Sequence, residues 1–244
     1  MAGRAHAPRR HQRRPLGPAA RFVRARRRTR QHEQVHRTRR SGHSRHFGRL
    51  QAVSGAEKHA RALIVKAWRS RWEALQSPSA DEAALGTLMA RIEADLVRAC
   101  EISRQAGASK ELSVALGKLG HVALDLGHPD KARTLFEESV AAARETRDPL
   151  RLAHAVRHLG QVNQRLGRLD SAGRCYEEAL DLYDRDRTAH PLDHANAVRP
   201  MALLREELGD AEGARHLWRR AAKLYRAAGV EEGVRECETH LSSP

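Results

Sequence analysis

The sequence predicts an all-α protein: an α-solenoid of stacked antiparallel helix-turn-helix repeats behind a disordered basic N-terminal arm. Three observations lead there. Apolar side chains recur every three to four residues in successive segments, as on one face of a helix. One pattern is written three times, at LGKLGHVALDLGHPDKARTLFEESV (116–140), VRHLGQVNQRLGRLDSAGRCYEEAL (156–180) and VRPMALLREELGDAEGARHLWRRAA (198–222). The net positive charge is confined to one end of the chain.

Of the 244 residues, the first fifty hold sixteen Arg, no Lys and one acid, Glu33. The rest balances 29 bases against 29 acids. Like charges repel and offer little apolar surface for burial, so the arm is expected to be disordered. Two other readings of it stand beside this one: an untranslated stretch, the conceptual translation of sequence upstream of a true start near Leu50 or Val53, and a transit peptide, against which its scarcity of Ser counts.

The first helix is expected at 56–76, where Ala60, Leu63, Ile64, Ala67, Trp68, Trp72 and Leu75 share a face. A second, over 80–106, follows a capping box from Ser79 to Glu82 and places Ile92, Leu96, Ala99 and Cys100 forty residues before their counterparts in the first copy. The three copies then align without gaps. A small residue stands at Gly120, Gly160 and Ala202, and a Gly seven later at Gly127, Gly167 and Gly209. An Ala (Ala132, Ala172, Ala214) and an aromatic (Phe136, Tyr176, Trp218) complete the set, followed by Ser139, Ala179 and Ala221. The second Gly suits a helix end because it accepts a left-handed backbone. Asp130, Asp170 and Asp210 suit the next helix start. The first small residue lets two helices approach closely, and the aromatic fills the space against the neighbouring copy. In the second copy the core face is Leu152, Ala155, Val156, Leu159, Val162 and Leu166. Pro200 is expected to kink the first helix of the third copy or to delay its start.

These positions resemble the tetratricopeptide repeat, over roughly residues 90–228. The family's repeat is about 34 residues, whereas these copies are 40 and 42 apart, so they resemble a long-repeat variant. The family's closing Pro is absent, and its second tyrosine position holds Ala123, Asn163 and Arg205. The resulting division is an arm, 1–52; a helical hairpin with a degenerate repeat, 53–106; repeats at 107–148, 149–190 and 191–228; and a capping helix, 229–244.

Little in the chain suggests chemistry. Neither a phosphate-binding glycine loop nor a GxSxG or HExxH motif occurs. Cys100, Cys175 and Cys237 form no CxxC and read as buried reduced thiols. His190 and His194 are too few for a zinc site. No apolar run reaches the ~20 residues of a membrane span. No enzyme activity, cofactor, metal or membrane partner is expected, and a cytoplasmic location is.

The resemblance implies that the first helix of each pair lines a concave face and that the partner is a protein or peptide. Opposite the core residues, the candidate groove holds His121 and Asp125 in the first copy, with Val114 and Leu124. It holds His154, Arg157, Gln161, Gln164 and Arg165 in the second. In the third it holds Asn196, Arg199 and Glu206, with Leu203 and Glu207. Arg157 and Arg199 are expected to be exposed and aligned, ready for planar recognition of carboxylates or carbonyls. The Lys/Asn/Arg set with which some relatives clamp a C-terminal carboxylate is not reproduced. The competing reading is a nucleic-acid-associated regulatory protein. Its arm would neutralise phosphates, and its repeats would serve as a sensor or dimerisation module.

Overall fold

The computed structural model describes residues 54–76 and 81–242. The expectations for the arm and for the Ser79 capping box lie outside those residues. Among the described residues there are nine helices and no strand: α1 Gly55–Gln76, α2 Glu82–Gln105, α3 Ser109–Asp125, α4 Pro129–Arg144, α5 Pro149–Arg165, α6 Leu169–Arg185, α7 Pro191–Glu207, α8 Ala211–Ala227 and α9 Glu231–Ser242. They pack as successive antiparallel pairs, α1/α2, α3/α4, α5/α6 and α7/α8, closed by α9.

Glycine ends the first helix of each repeated pair. Gly127, Gly167 and Gly209 have φ of 81°, 73° and 79°. The amide after each reaches back five residues, as in His128 N–H to the Ala123 carbonyl at 2.8 Å and Arg168 N–H to the Asn163 carbonyl at 2.9 Å. These bonds satisfy carbonyls that a helix end would otherwise orphan. Asp210 caps α8 by accepting from Gly213 N–H at 2.9 Å, while Asp130 and Asp170 sit in the first turns of α4 and α6. Pro200 lies inside α7 and does not delay its start, which Pro191 makes.

The three aromatics form the core of their pairs. Phe136 is 1 % exposed, and Tyr176 and Trp218 are fully buried. Phe136 and Tyr176 occupy the space opposite the glycine of their own pair. A Cβ built on Gly160 would stand 2.6 Å from the Tyr176 ring, and one on Gly120 2.9 Å from Phe136. Gly160→Ala is therefore expected to destabilise. Overpacking costs ~1–3 kcal/mol, against ~1 kcal/mol returned by the better helix former. Gly173→Ala in α6 should do the opposite, because its Cβ would meet Leu204 Cδ2 at an ordinary 3.6 Å. Urea midpoints shifting in opposite directions would check both.

The two sides of the stack are spaced differently. The first helices of neighbouring pairs touch directly: α1 with α3, α3 with α5, α5 with α7. The second helices are bridged by long side chains instead. Lys131 of α4 reaches Glu93 of α2 at 2.5 Å, Arg104 reaches Glu138 at 2.6 Å, Arg144 reaches Glu178 at 3.2 Å, and Arg220 of α8 pairs with Asp184 of α6. Close spacing on one side and wide spacing on the other curves the stack, with the first helices inside. The bridges are exposed and each contributes at most ~1 kcal/mol, so they align neighbouring pairs more than they stabilise them. α9 takes the place of a further first helix: its Glu236 and His240 bond Arg199 and Glu206 of α7.

Candidate functional site

The inner side has two chemically distinct halves. Toward the N-terminus it is built of rings. Trp68 of α1 lies 5.7 Å from His121 of α3, and His121 meets His158 of α5 edge-on at 4.5 Å between centroids. His158 stacks on Phe136 at 5.7 Å and meets His154 at 4.6 Å. Lys118 Nζ stands 3.4 Å above the Trp68 ring, within cation–π range. Toward the C-terminus the lining is amide and ionic. Tyr176 donates its hydroxyl to Gln164 Oε1 at 2.8 Å, and Gln164 Nε2 donates to Glu207 at 2.8 Å. Tyr225 donates to Asn196 Oδ1 at 3.1 Å. Glu206 Oε1 accepts from Trp218 Nε1 at 2.7 Å and bonds His240 Nδ1 at 2.9 Å. Burial raises the pKa of both tyrosines, the first cause in each case, so the phenols are neutral donors.

Of the ten candidate residues, His121, His154, Gln161, Gln164, Asn196 and Arg199 are half-buried along this side, and Arg165 and Glu206 are exposed. Two depart from the expected exposure. Asp125 is buried, because α1 packs over the end of α3 and brings Arg71 onto it. Arg71 Nε and Nη2 meet the Asp125 carboxylate oxygens at 2.6 and 3.1 Å. Burial raises the Asp125 pKa, and the Arg71 charge and hydrogen bonds work against that rise. Arg157 is also buried, at 4 % exposure. Its Nη2 donates to His158 Nε2 at 2.9 Å. His158 therefore carries its proton on Nδ1 and donates it to Gln161 Oε1, also at 2.9 Å.

Arg199 is not aligned with Arg157 as a second open cation. It grips Glu236 of α9 through both Nε, at 2.7 Å, and Nη2. Burial works against the Arg199 charge, but the bonds to Glu236 prevail and its pKa is raised. Sequence reading missed Glu236, His240, Trp68 and Lys118 as parts of this side. The signal for the first two was the spacing of four on α9, next to the buried Val234 and Cys237.

The other polar residues weighed in the sequence are occupied. His190 caps α7 by accepting from Leu192 N–H at 3.2 Å. His194 lies 2.6 Å from Arg220 Nη2 and 3.1 Å from Asp184 Oδ1, and burial, then Arg220, lower its pKa. Burial lifts the Cys100 thiol to about 11 and the Cys237 thiol to about 12, so both are protonated and unreactive at neutral pH. Among the described residues no three His, Cys, Asp or Glu side chains are placed to hold a metal ion, and no helix is long and apolar enough to cross a membrane.

Comparison with known proteins agrees with this architecture. Residues 111–185 match the family model for the tetratricopeptide repeat. No curated protein matches the chain. Among solved structures, it is similar to a protein of nearly identical tetratricopeptide-like repeats from Podosopora anserina, at 15 % identity and a TM-score of 0.52 over 75 % of this chain and 95 % of that one. A single-substitution form of the same protein is 14 % identical, with a TM-score of 0.53 over 75 % of this chain and 94 % of that one. BtubC from P. vanneervenii is 14 % identical, with a TM-score of 0.45 over 77 % of this chain and 90 % of that one. The likeness to the Podosopora structures is one of fold. Residues 111–185, from the first turn of α3 to the end of α6, carry the match to the tetratricopeptide repeat family, and the pairs on either side continue the same stack.

Proposed function

We propose that the chain is a non-enzymatic scaffold that holds an extended segment of another polypeptide along the inner side of its stack. Tetratricopeptide repeats generally mediate protein–protein interaction. The observation that carries the finer reading is the run of half-buried polar side chains across consecutive first helices: His121 on α3, His154, Gln161 and Gln164 on α5, and Asn196 on α7. Amide and imidazole groups recurring at helix spacing match the alternating donors and acceptors of an extended backbone. Three first helices ~9 Å apart span ~18 Å, the length of roughly five to six extended residues at ~3.3 Å each.

The test is selection from a library of ~12-residue peptides displayed between constant glycine-serine linkers. Peptides selected on the wild type should bind a Gln161→Glu, Arg165→Glu variant at least about tenfold more weakly, the scale of a lost interface anchor. An Arg215→Glu, Arg219→Glu variant, altered at exposed positions of α8, should bind them normally. Loss of binding in the α8 variant with retention in the α5 variant would place the function elsewhere.

A further inference from the structure

Two arginines are buried among the described residues, Arg71 and Arg157, each 4 % exposed. Their situations are opposite. Arg71 is met by the Asp125 carboxylate through two hydrogen bonds. Among the described residues Arg157 pairs with no carboxylate. Its one bond is to a neutral imidazole, and its Nε and Nη1 are buried without a hydrogen-bond partner. A guanidinium cannot shed its proton to escape this situation, and an unpaired buried charge is costly. A cation kept in such a place by a fold that pairs its other buried arginine calls for a counter-ion that the described chain does not supply.

The surroundings indicate where that counter-ion comes from. Arg157 sits on the inner face of α5, between Gln161 and His154 on its own helix. Its charge acts on the Tyr176 hydroxyl of α6 and the Tyr225 hydroxyl of α8, two donors that point toward the same inner side. Three carboxylates of the inner lining are already engaged: Glu206 by Trp218 and His240, Glu207 by Gln164, and Glu236 by Arg199. The second candidate cation, Arg199, is thereby neutralised. Arg157 is left as a buried cation beneath the inner side with no carboxylate partner among the described residues. Pairing with a carboxylate in the groove requires the long, flexible stem to turn the guanidinium past Gln161.

We propose that Arg157 is the anchor for an acidic side chain, Glu or Asp, within the bound polypeptide segment, and so sets the specificity of the groove. This rests on the reading that the inner side binds an extended segment. An internal side chain is the source, because the polar lining continues on both sides of Arg157, onto α3 and α7, and a chain threading it passes through. Pairing replaces a desolvated, half-satisfied guanidinium by a two-pronged ion pair. Discrimination comes from the contrast: a partner with Gln in that place leaves the charge as unsatisfied as before.

The experiment uses the full chain and a capped peptide of ~12 residues from the selection described above, with its acid intact or changed to the amide. The wild type should lose about tenfold or more in affinity on the Glu→Gln change in the peptide, as expected for a hydrogen bond to a charged group. Arg157→Gln should reduce that loss to about twofold or less, while Arg199→Gln should leave it intact. Because an unpaired charge is removed, Arg157→Gln and Arg157→Met should melt no lower than wild type. Selected peptides with no enriched acid, or acid discrimination that survives Arg157→Gln, would overturn the proposal and leave the groove reading standing. If both Arg157 variants unfold, the guanidinium is structural and the proposal also fails. If no peptide is selected at all, the groove reading itself falls, and this inference with it.

Discussion

Tyr176→Ala is expected to destabilise the stack by about 4 kcal/mol. Truncating a fully buried aromatic costs ~3–5 kcal/mol, more where the surroundings cannot collapse into the gap. Here they cannot, because the ring's opposite wall is Gly160, which has no side chain to move inward. The hydroxyl's bond to Gln164 at 2.8 Å is lost as well. Tyr176→Phe separates the two effects. It keeps the packing, gives up one hydrogen bond to a half-exposed partner, and should cost ~1 kcal/mol. The loss should not stay in one pair, since each repeat is stable only against its neighbours. Urea unfolding followed by circular dichroism should show an earlier transition over the whole helical signal. A Tyr176→Ala midpoint matching the wild type would refute the assigned packing.

Arg71→Met should cost ~3–5 kcal/mol, because it leaves the Asp125 carboxylate buried without its partner. Asp125 is 6 % exposed, and an uncompensated carboxylate there must protonate or draw in water. The pair itself contributes far less than this figure suggests. Bringing two charges out of water offsets most of their attraction, so an apolar replacement of both is often neutral. The Arg71→Met, Asp125→Leu double variant should therefore recover most of the stability lost in the single. Additive losses instead would mean that the ion pair holds α1 against α3 in a way that apolar packing cannot. The expected non-additivity can be read from a double-mutant cycle of urea midpoints.

The elements most legible in the sequence are those with steric causes. Gly127, Gly167 and Gly209 could be read as helix ends because few other residues accept their φ. Gly160 and Tyr176 could be read as a close contact because a Gly and an aromatic recur together at fixed spacing. Arg157 and Asp125 were misjudged for one shared reason. A helical wheel places them opposite the core leucines, but it carries no information on how near the adjacent first helices stand. In the folded stack those helices touch, and α1 covers Asp125. The partner of Arg199 was hidden by distance along the chain, since Glu236 lies 37 residues on. Within the second copy, the expected groove residues that do reach the surface of the inner side are His154, Gln161, Gln164 and Arg165.

The central claim is that the inner side of the stack receives the partner. The side-chain amides of Gln161, Gln164 and Asn196 report on that side directly, because each projects an NH₂ group there. An amide nitrogen–proton correlation spectrum of the full chain, titrated with a peptide selected by the wild type, should shift these three signals together with the backbone amides of α3, α5 and α7. Shifts gathered instead on the outward faces of α4, α6 and α8, with the three side-chain amides unmoved, would contradict it.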